Sequence, residues 1–389
     1  MDLTAEFDGR LSPNEQKLID VARQFANDHL KSRENTAYAQ DHHQALLALA
    51  SQSGLAGMEV PAAAGGADAS FSTRMRVCEE LARYDAAFAF SLVNHHNVIS
   101  RIAVSGQSSF CQKWVKPMLH GEHFGCTAMS EPQSGSDFSA MHTTATHTGM
   151  EWRLNGEKAW IANAAFADTF LVYAQTDPSA GIKGIAGFVV LASDKGFIRQ
   201  PAFNLPGIEG MGVGGFTLDN CVVPADRVLY PPGTGFMSAM QGVNRARIHV
   251  AAINTGMLDA SLEAAISYAH TRQAFGQSLL EFQGLRWSLA DVATQLQAMR
   301  LMTYSGARAI DTGADAQNAA AMAKKYANDQ AAGAIASCMQ AMGAVGLLPQ
   351  YPLTRHLSCA RALCYTDGTP EMMNERISHL LRKKYIDAA

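Results

Sequence analysis

Residues 151–163 read EWRLNGEKAWIAN. An Asn-Gly pair stands between two aromatic-bearing segments, the pattern of a β-hairpin closed by a two-residue turn. Text of the same kind lies downstream. FLVYAQT (170–176), IAGFVVLA (185–192) and FTLDNCVV (216–223) are further strand candidates, so a β domain is expected over 126–233.

Outward from that domain the pattern is helical. Ser12-Pro13-Asn14-Glu15 combines a Ser cap, a Pro in the first turn and a Glu three residues after the cap, which is how helices begin. Leu18, Val21, Ala22, Phe25 and Ala26 then recur on one helical face. A second helix through QALLALASQSG is expected to stop at Gly54, and EVPAAAGGADAS reads as a loop. MRVCEELARYDAAFAFSLVNHHNVISRIAVSG reads as one longer helical run closing at Gly106. Beyond 233, Leu285, Leu289, Val292, Leu296, Met299 and Met302 step by four and three along a bundle seam. AAAMAKKYANDQAAGAIASCMQAMG (319–343) is Ala-rich, with small side chains that let helices approach closely. The expected class is mainly α with a central β domain: a helical domain at 1–125, a β domain at 126–233 and a helical bundle at 234–389.

Bulk composition excludes several functions. With 389 residues, 48% of them hydrophobic, the chain can bury a large core. A net charge of −4 supplies no basic field for nucleic acid or an anionic membrane surface. Seven cysteines without a CxxC pair read as reduced thiols, and no apolar run reaches the ~18 residues of a membrane span. The opening MDLTAEFDGRL does not have the basic and apolar regions of a secretory signal. A cytoplasmic protein is the expectation.

Two apparent motifs carry little. Gly210, Gly212 and Gly215 satisfy G-x-G-x-x-G, but that fingerprint needs a strand before it and a helix after it, and FTLDNCVVP reads as strand. His42-His43 and His95-His96 lack metal-ligand partners at useful spacing, so no metal is expected and both pairs read as cap or packing residues. His95 and His96 remain candidates for lining a substrate pocket.

Four stretches carry a stronger message: AMSEPQSGSD (128–137), LNGEKAWIAN (154–163), TRQAFGQSLLEFQ (271–283) and QAMGAVGLLPQYPLTR (340–355), followed by TDGT (366–369). In this order they resemble the acyl-CoA dehydrogenase family of flavoproteins. The resemblance covers almost the whole chain. It implies an N-terminal helical domain, a middle β-barrel domain, a C-terminal four-helix bundle and FAD as cofactor.

By resemblance, Met129 and Ser130 contact the flavin ring, Ser136 reaches phosphate or substrate, and Trp160 lies against the flavin beside Ala162. An indole face suits a flat ring. Arg272, with Phe275 beside it, is implied to pair with the FAD pyrophosphate, a task fitted to a guanidinium fork. Gln283 follows on the same match. Gln340, Gly343 and Ala344 are implied to reach the FAD of a neighbouring subunit, which makes a homotetramer the expected assembly. Thr369 and Glu371 match further FAD positions, while Asn244, Arg245, Ala246, Arg247 and Gly368 match CoA-thioester contacts.

The chain departs from the family at several of these positions. Ala162 replaces a hydroxyl residue near flavin N5. Ser358-Cys359-Ala360-Arg361 stands for R-D-A-R, Gly343-Ala344 for a double glycine, and Asn244 for an acid. The carboxylate before Gly-Thr is Asp367 rather than Glu, and the alternative base position on the first bundle helix is Ala246. Asp367 is therefore the one carboxylate in a recognised base position. Asp is shorter than Glu by about 1.5 Å, and a misplacement of about 1 Å costs ~10²-fold in rate.

The implied activity is α,β-dehydrogenation of an acyl-CoA thioester. Asp367 takes the α-proton, its backbone N–H polarises the thioester carbonyl, and an electron-transfer flavoprotein accepts the electrons. Asp as base and Ala162 also fit an oxidase on the same fold, acting on nitroalkanes or acyl thioesters with oxygen. A non-catalytic helical scaffold is the third reading. Arg272, Gln340 and Trp160 argue against it, and Asp367 argues against a flavin monooxygenase.

Overall fold

The computed structural model describes residues 7–31, 40–106 and 108–386. Helix α1 (Pro13–Phe25) starts at the expected capping box, where the Ser12 and Glu15 side chains each accept from the other residue's main-chain N–H. Its inward face is Ile19, Ala22 and Phe25, while Leu18 and Val21 are only half-buried. Helix α2 (Gln40–Gln52) is followed by Gly54 at φ 88°, a conformation glycine adopts without strain.

The long run expected to close at Gly106 is two helices, α3 (Phe71–Ala82) and α4 (Ala86–Ser105). Asp85 interrupts it: its backbone is extended and its side chain accepts from the Phe88 N–H at 2.9 Å. An Asp immediately before the new first turn is itself a cap signal, masked here by continuous apolar text on both sides. Helix α5 (Ser108–Leu119) completes the N-terminal set.

The middle of the chain forms an eight-stranded sheet: β1 (Gly125–Ala128), β2 (Thr144–His147), β3 (Glu151–Ile161), β4 (Thr169–Gln175), β5 (Ile185–Leu191), β6 (Phe197–Arg199), β7 (Gly214–Pro224) and β8 (Val228–Tyr230). Its order is β6-β7-β3-β2-β4-β5-β8, with β1 pairing parallel to β4. It encloses its own apolar cluster, centred on Phe170, Phe188 and Phe216.

The Asn-Gly hairpin expected in EWRLNGEKAWIAN is corrected by the structure. β3 runs straight through Asn155-Gly156, paired to β2 on one side and β7 on the other. The ladder shifts register between Leu154 and Gly156, which is a bulge. Gly156 has φ 148°, and a Cβ there would lie 2.6 Å from the Thr143 main chain. The glycine permits close backbone approach rather than a turn. The β2–β3 turn lies upstream, where Thr148 N–H donates to Glu151 O at 2.9 Å.

The Gly210–Gly215 segment leads into strand β7, not into a helix. After the sheet come α6 (Gly235–Thr271, 37 residues), a short hairpin of β9 (Gln273–Ala274) and β10 (Gln277–Ser278), α7 (Gln283–Asp311), α8 (Gln317–Met342), α9 (Leu353–Leu363) and α10 (Pro370–Tyr385). The seam of α7 holds at Leu289, Val292, Leu296 and Met299, but Met302 is exposed and Thr303 takes the inward place. One apolar cluster runs through both helical regions. Among the described residues no helix is long and apolar enough to cross a membrane.

Candidate active site

Asp367 lies in the short connection from α9 to α10. Two successive residues there have positive φ, Asp367 at 54° and Gly368 at 98°. Glycine takes that conformation freely. An Asp held in it is a local strain of the kind that gathers at functional sites. Thr369 then caps α10, accepting from Met372 N–H at 3.5 Å, with Pro370 in the first turn and Glu371 exposed beside it.

Two cations from other helices hold this segment. Arg247 of α6 donates through Nε to Asp367 O at 3.1 Å and through Nη1 to Asn244 Oδ1 at 3.1 Å. Lys324 of α8 donates to Gly368 O. Burial raises the Asp367 carboxyl above its ordinary value, and Lys324 and Arg247 partly oppose that rise. Lys324 is buried and is pushed down to about 8, chiefly by desolvation.

The sheet contributes a second group. Ala159 N–H donates to Ser130 O at 3.1 Å, which joins the SEPQSGSD loop to β3. Met129 and Ser130 are half-buried, and Ser136 is exposed on the same loop. Trp160 has φ 64°, is 59% exposed and stacks on Phe203 with centroids 4.4 Å apart. Ala162 is buried, and its carbonyl accepts from Asn94 Nδ2 at 2.9 Å. Asn94 Oδ1 also accepts from Thr127 N–H, so α4 braces both strands that flank Met129 and Trp160. An exposed indole on such a rigid edge is a face for a flat aromatic ring.

A third group lies in the bundle. Arg272 caps the end of α6. Phe275, with φ 51°, and Gly276, with φ 81°, form the two-residue tip of the β9–β10 hairpin, and Phe275 is 97% exposed. Gln283 opens α7. Gln340, Gly343 and Ala344 are exposed at the far end of α8. Gln340 is sixteen residues beyond Lys324 on one helix, about 24 Å at 1.5 Å per residue.

The substrate-contact candidates divide. Asn244 and Arg247 of α6 and Gly368 are joined to the loop around Asp367, and Ala246 is half-buried on the same helix. Arg245 is engaged elsewhere: it pairs with Glu59 and stacks on Phe71 at 4.3 Å. His95 and His96 are fully buried and bond to the main chain, His95 to Met118 O and Gly125 N–H, His96 to Ala56 O. They pack helices and line no opening. Among the described residues no cluster of His, Cys, Asp or Glu is placed to hold a metal ion. A cleft of about 430 Å³ between Glu131, His142, Asn155 and Asp219 lies on the sheet, and Asp367 does not line it.

Sequence reasoning missed Lys324, Lys158, Glu131 and Asn94. A signal existed for the two lysines. Lys324 falls on the buried stripe Ala320, Ala327, Ala331, Ala334 of α8, and Lys158 shares strand parity with inward Leu154.

The chain matches the acyl-CoA dehydrogenase N-terminal domain over residues 12–122, the middle domain over 126–221 and the C-terminal domain over 233–381. The chain belongs to the acyl-CoA dehydrogenase family. The rat mitochondrial short/branched chain specific acyl-CoA dehydrogenase is 35% identical over 337 residues, 87% of this chain and 77% of that one. Butyryl-CoA dehydrogenase of Megasphaera elsdenii has a TM-score of 0.89 at 29% identity, covering 96% of this chain and 99% of that one. The structure of PigA with FAD and proline gives 0.89 at 25% identity, with 96% and 99% coverage. This acyl-CoA dehydrogenase is an oxidoreductase that uses FAD. The exposed Trp160 face, the braced Met129–Ser130 edge and the open Arg272–Phe275 hairpin fit that cofactor.

Proposed function

We propose that this acyl-CoA dehydrogenase introduces an α,β double bond into a short or branched acyl-CoA, with Asp367 as the base. The observation that carries this reading is the Asp367 carboxylate itself: half-buried, at positive φ, with Arg247 and Lys324 bound to the carbonyls of its own segment. FAD, when bound, supplies the acceptor for the β-hydride. Asp367 removes the α-proton, and its backbone N–H is assigned to polarise the thioester oxygen. Desolvation makes the carboxylate a stronger base than one in water.

Asn244, Ala246, Arg247 and Gly368 are assigned to the thioester, Ser136 to the CoA arm, and Met129, Ser130, Trp160, Ala162, Thr369 and Glu371 to the flavin end of FAD. Arg272, Phe275 and Gln283 take the pyrophosphate side. Gln340, Gly343 and Ala344, at the opposite end of α8 from Gly368, serve a neighbouring subunit's cofactor, which supports a homotetramer. An electron-transfer flavoprotein is the proposed electron acceptor. The unpaired buried thiols suit a reducing compartment such as the cytoplasm. The short or branched chain is supported by the 35% identical rat relative and by the shorter reach of Asp.

The test is anaerobic bleaching of the yellow holoenzyme against straight, branched, ring-containing and aryl acyl-CoAs. Fast bleaching by short or branched thioesters is expected, and no bleaching by any thioester contradicts the reading. Ala162 motivates the competing oxidase: a methyl stands where the family has a hydroxyl near N5. Hydrogen peroxide formed in step with substrate oxidation, without another acceptor, supports the oxidase instead.

A further inference from the structure

Helix α8 directs a lysine into the interior. Lys324 is 0% exposed, on a buried stripe made mostly of alanines. Burying an ammonium costs several kcal/mol, and an apolar residue of similar length fills such a position without that cost. What the ammonium meets explains why it is there. It donates to Gly368 O, and the ionisable groups facing it are Asp367 on the loop, Arg247 on α6 and Cys364 after α9. Arg376 of α10 lies within electrostatic reach of Arg247, and Asp329 of α8 within that of Cys364.

Lys324 and Arg247 thus bind two consecutive carbonyls, Gly368 O and Asp367 O, across a segment held at positive φ. Each carbonyl fixed in this way sets the direction of the neighbouring peptide and the stem of the Asp367 side chain. The two cations also supply the positive potential against which the carboxylate loses its water.

We propose that Lys324 is a positioning residue for the α-proton abstraction: it clamps the Gly368–Thr369 peptide, next to the Asp367–Gly368 peptide that Arg247 holds, and keeps the Asp367 carboxylate ionised in a dehydrated gap. This rests on Asp367 being the base. Lys324 touches neither substrate nor flavin in this role and acts only through Asp367. Its lowered proton affinity has the same origin, since burial disfavours its charge while Asp367 restores part of it.

The test compares wild-type holoenzyme with Lys324→Met, Lys324→Gln and Lys324→Arg. Flavin reduction by acyl-CoA is followed against pH, and the Asp367 carboxyl is titrated by carbon-13 NMR in the absence of substrate. Loss of a neighbouring opposite charge moves a carboxyl by about one to three pH units. The acid limb of the reduction rate and the NMR titration of Asp367 are therefore expected to move up together by at least about one unit in Lys324→Met and Lys324→Gln. KM changes little, bound flavin is retained, and Lys324→Arg restores most of the rate. Gln keeps a donor without the charge, so it decides the matter if Met does not fold. An unshifted Asp367 titration and a wild-type acid limb in the Gln variant overturn the proposal, as does a pH-independent loss that Arg does not repair. Failure of the base assignment looks different, because the Asp367→Ala enzyme then still bleaches with acyl-CoA.

Discussion

Lys158 and Glu131 form an ion pair with Nζ 2.9 Å from Oε1 and side chains 0% and 1% exposed. It ties strand β3, which carries Trp160, to the loop that carries Ser130 and Ser136. Lys158 also donates to Met129 O at 3.0 Å, and Glu131 accepts from the His142 and Thr143 N–H groups. Desolvation pushes Lys158 down to about 8, while Lys158 and the loop N–H groups hold Glu131 below its usual value. Lys158→Met leaves a buried carboxylate unpaired, which costs about 3–5 kcal/mol. Calorimetry is expected to show a large drop in Tm together with weaker FAD retention. Glu131→Gln added to Lys158→Met recovers part of the loss, whereas an unchanged single variant removes the pair from the account.

The pH dependence of flavin reduction follows from Asp367. Its carboxyl is raised by burial, and only the ionised form takes a proton. The reduction rate therefore falls as pH falls through that raised value, at a higher pH than an exposed aspartate gives. Stopped-flow reduction across pH reads this limb directly. A rate that stays flat down to the ordinary aspartate range contradicts it.

Asp367→Glu moves the carboxylate outward by about 1.5 Å. The variant is expected to keep its flavin and to lose up to ~10²-fold in reduction rate with its best wild-type substrate. Other acyl chains, whose α-carbon sits further from the loop, fall less. Equal rates for every chain show that reach is not what Asp367 selects.

Gly256 gives a stability test with an unusual sign. In a helix interior Gly→Ala ordinarily gains about 1 kcal/mol. Gly256 of α6 faces the backbone of α3, and an added Cβ would lie 2.2 Å from Glu79 O. Main chain cannot yield as a side-chain tip can, so the helices must part, at about 1–3 kcal/mol. A lower Tm for Gly256→Ala is expected, and a higher one shows that the contact is loose.

The six described cysteines are free and buried, and burial pushes their thiols up, Cys78, Cys221 and Cys338 to about 12. The thiolate is the reactive form. At pH 8 these thiols are expected to alkylate only as the protein opens, with mass spectrometry locating them after denaturant is added. Rapid native labelling of Cys78 or Cys221 disagrees with the packing described.

Local chemistry made much of the fold legible. The Ser12–Glu15 box, the stop at Gly54 and the short apolar runs of β4 and β5, buried along their whole length, all act over a few residues, where sequence is informative. Asn155-Gly156 misled because the same dipeptide serves a turn or a bulge, and only pairing on both edges of β3 tells them apart. The α3–α4 break was hidden because Asp85 caps a helix between two apolar runs. Asp367 was legible through its place before Gly-Thr. Lys324 and Lys158 were not, because a lysine becomes chemically unusual only when folding removes its water, and that depends on helices and strands far away in the chain.

Everything proposed for this enzyme turns on one carboxylate, and the decisive experiment is anaerobic reduction of the purified Asp367→Ala holoenzyme by a short branched acyl-CoA. With Asp367 as the base, the variant remains yellow, binds the thioester and fails to bleach, while wild type bleaches under the same conditions. Bleaching of the variant at the wild-type rate contradicts it.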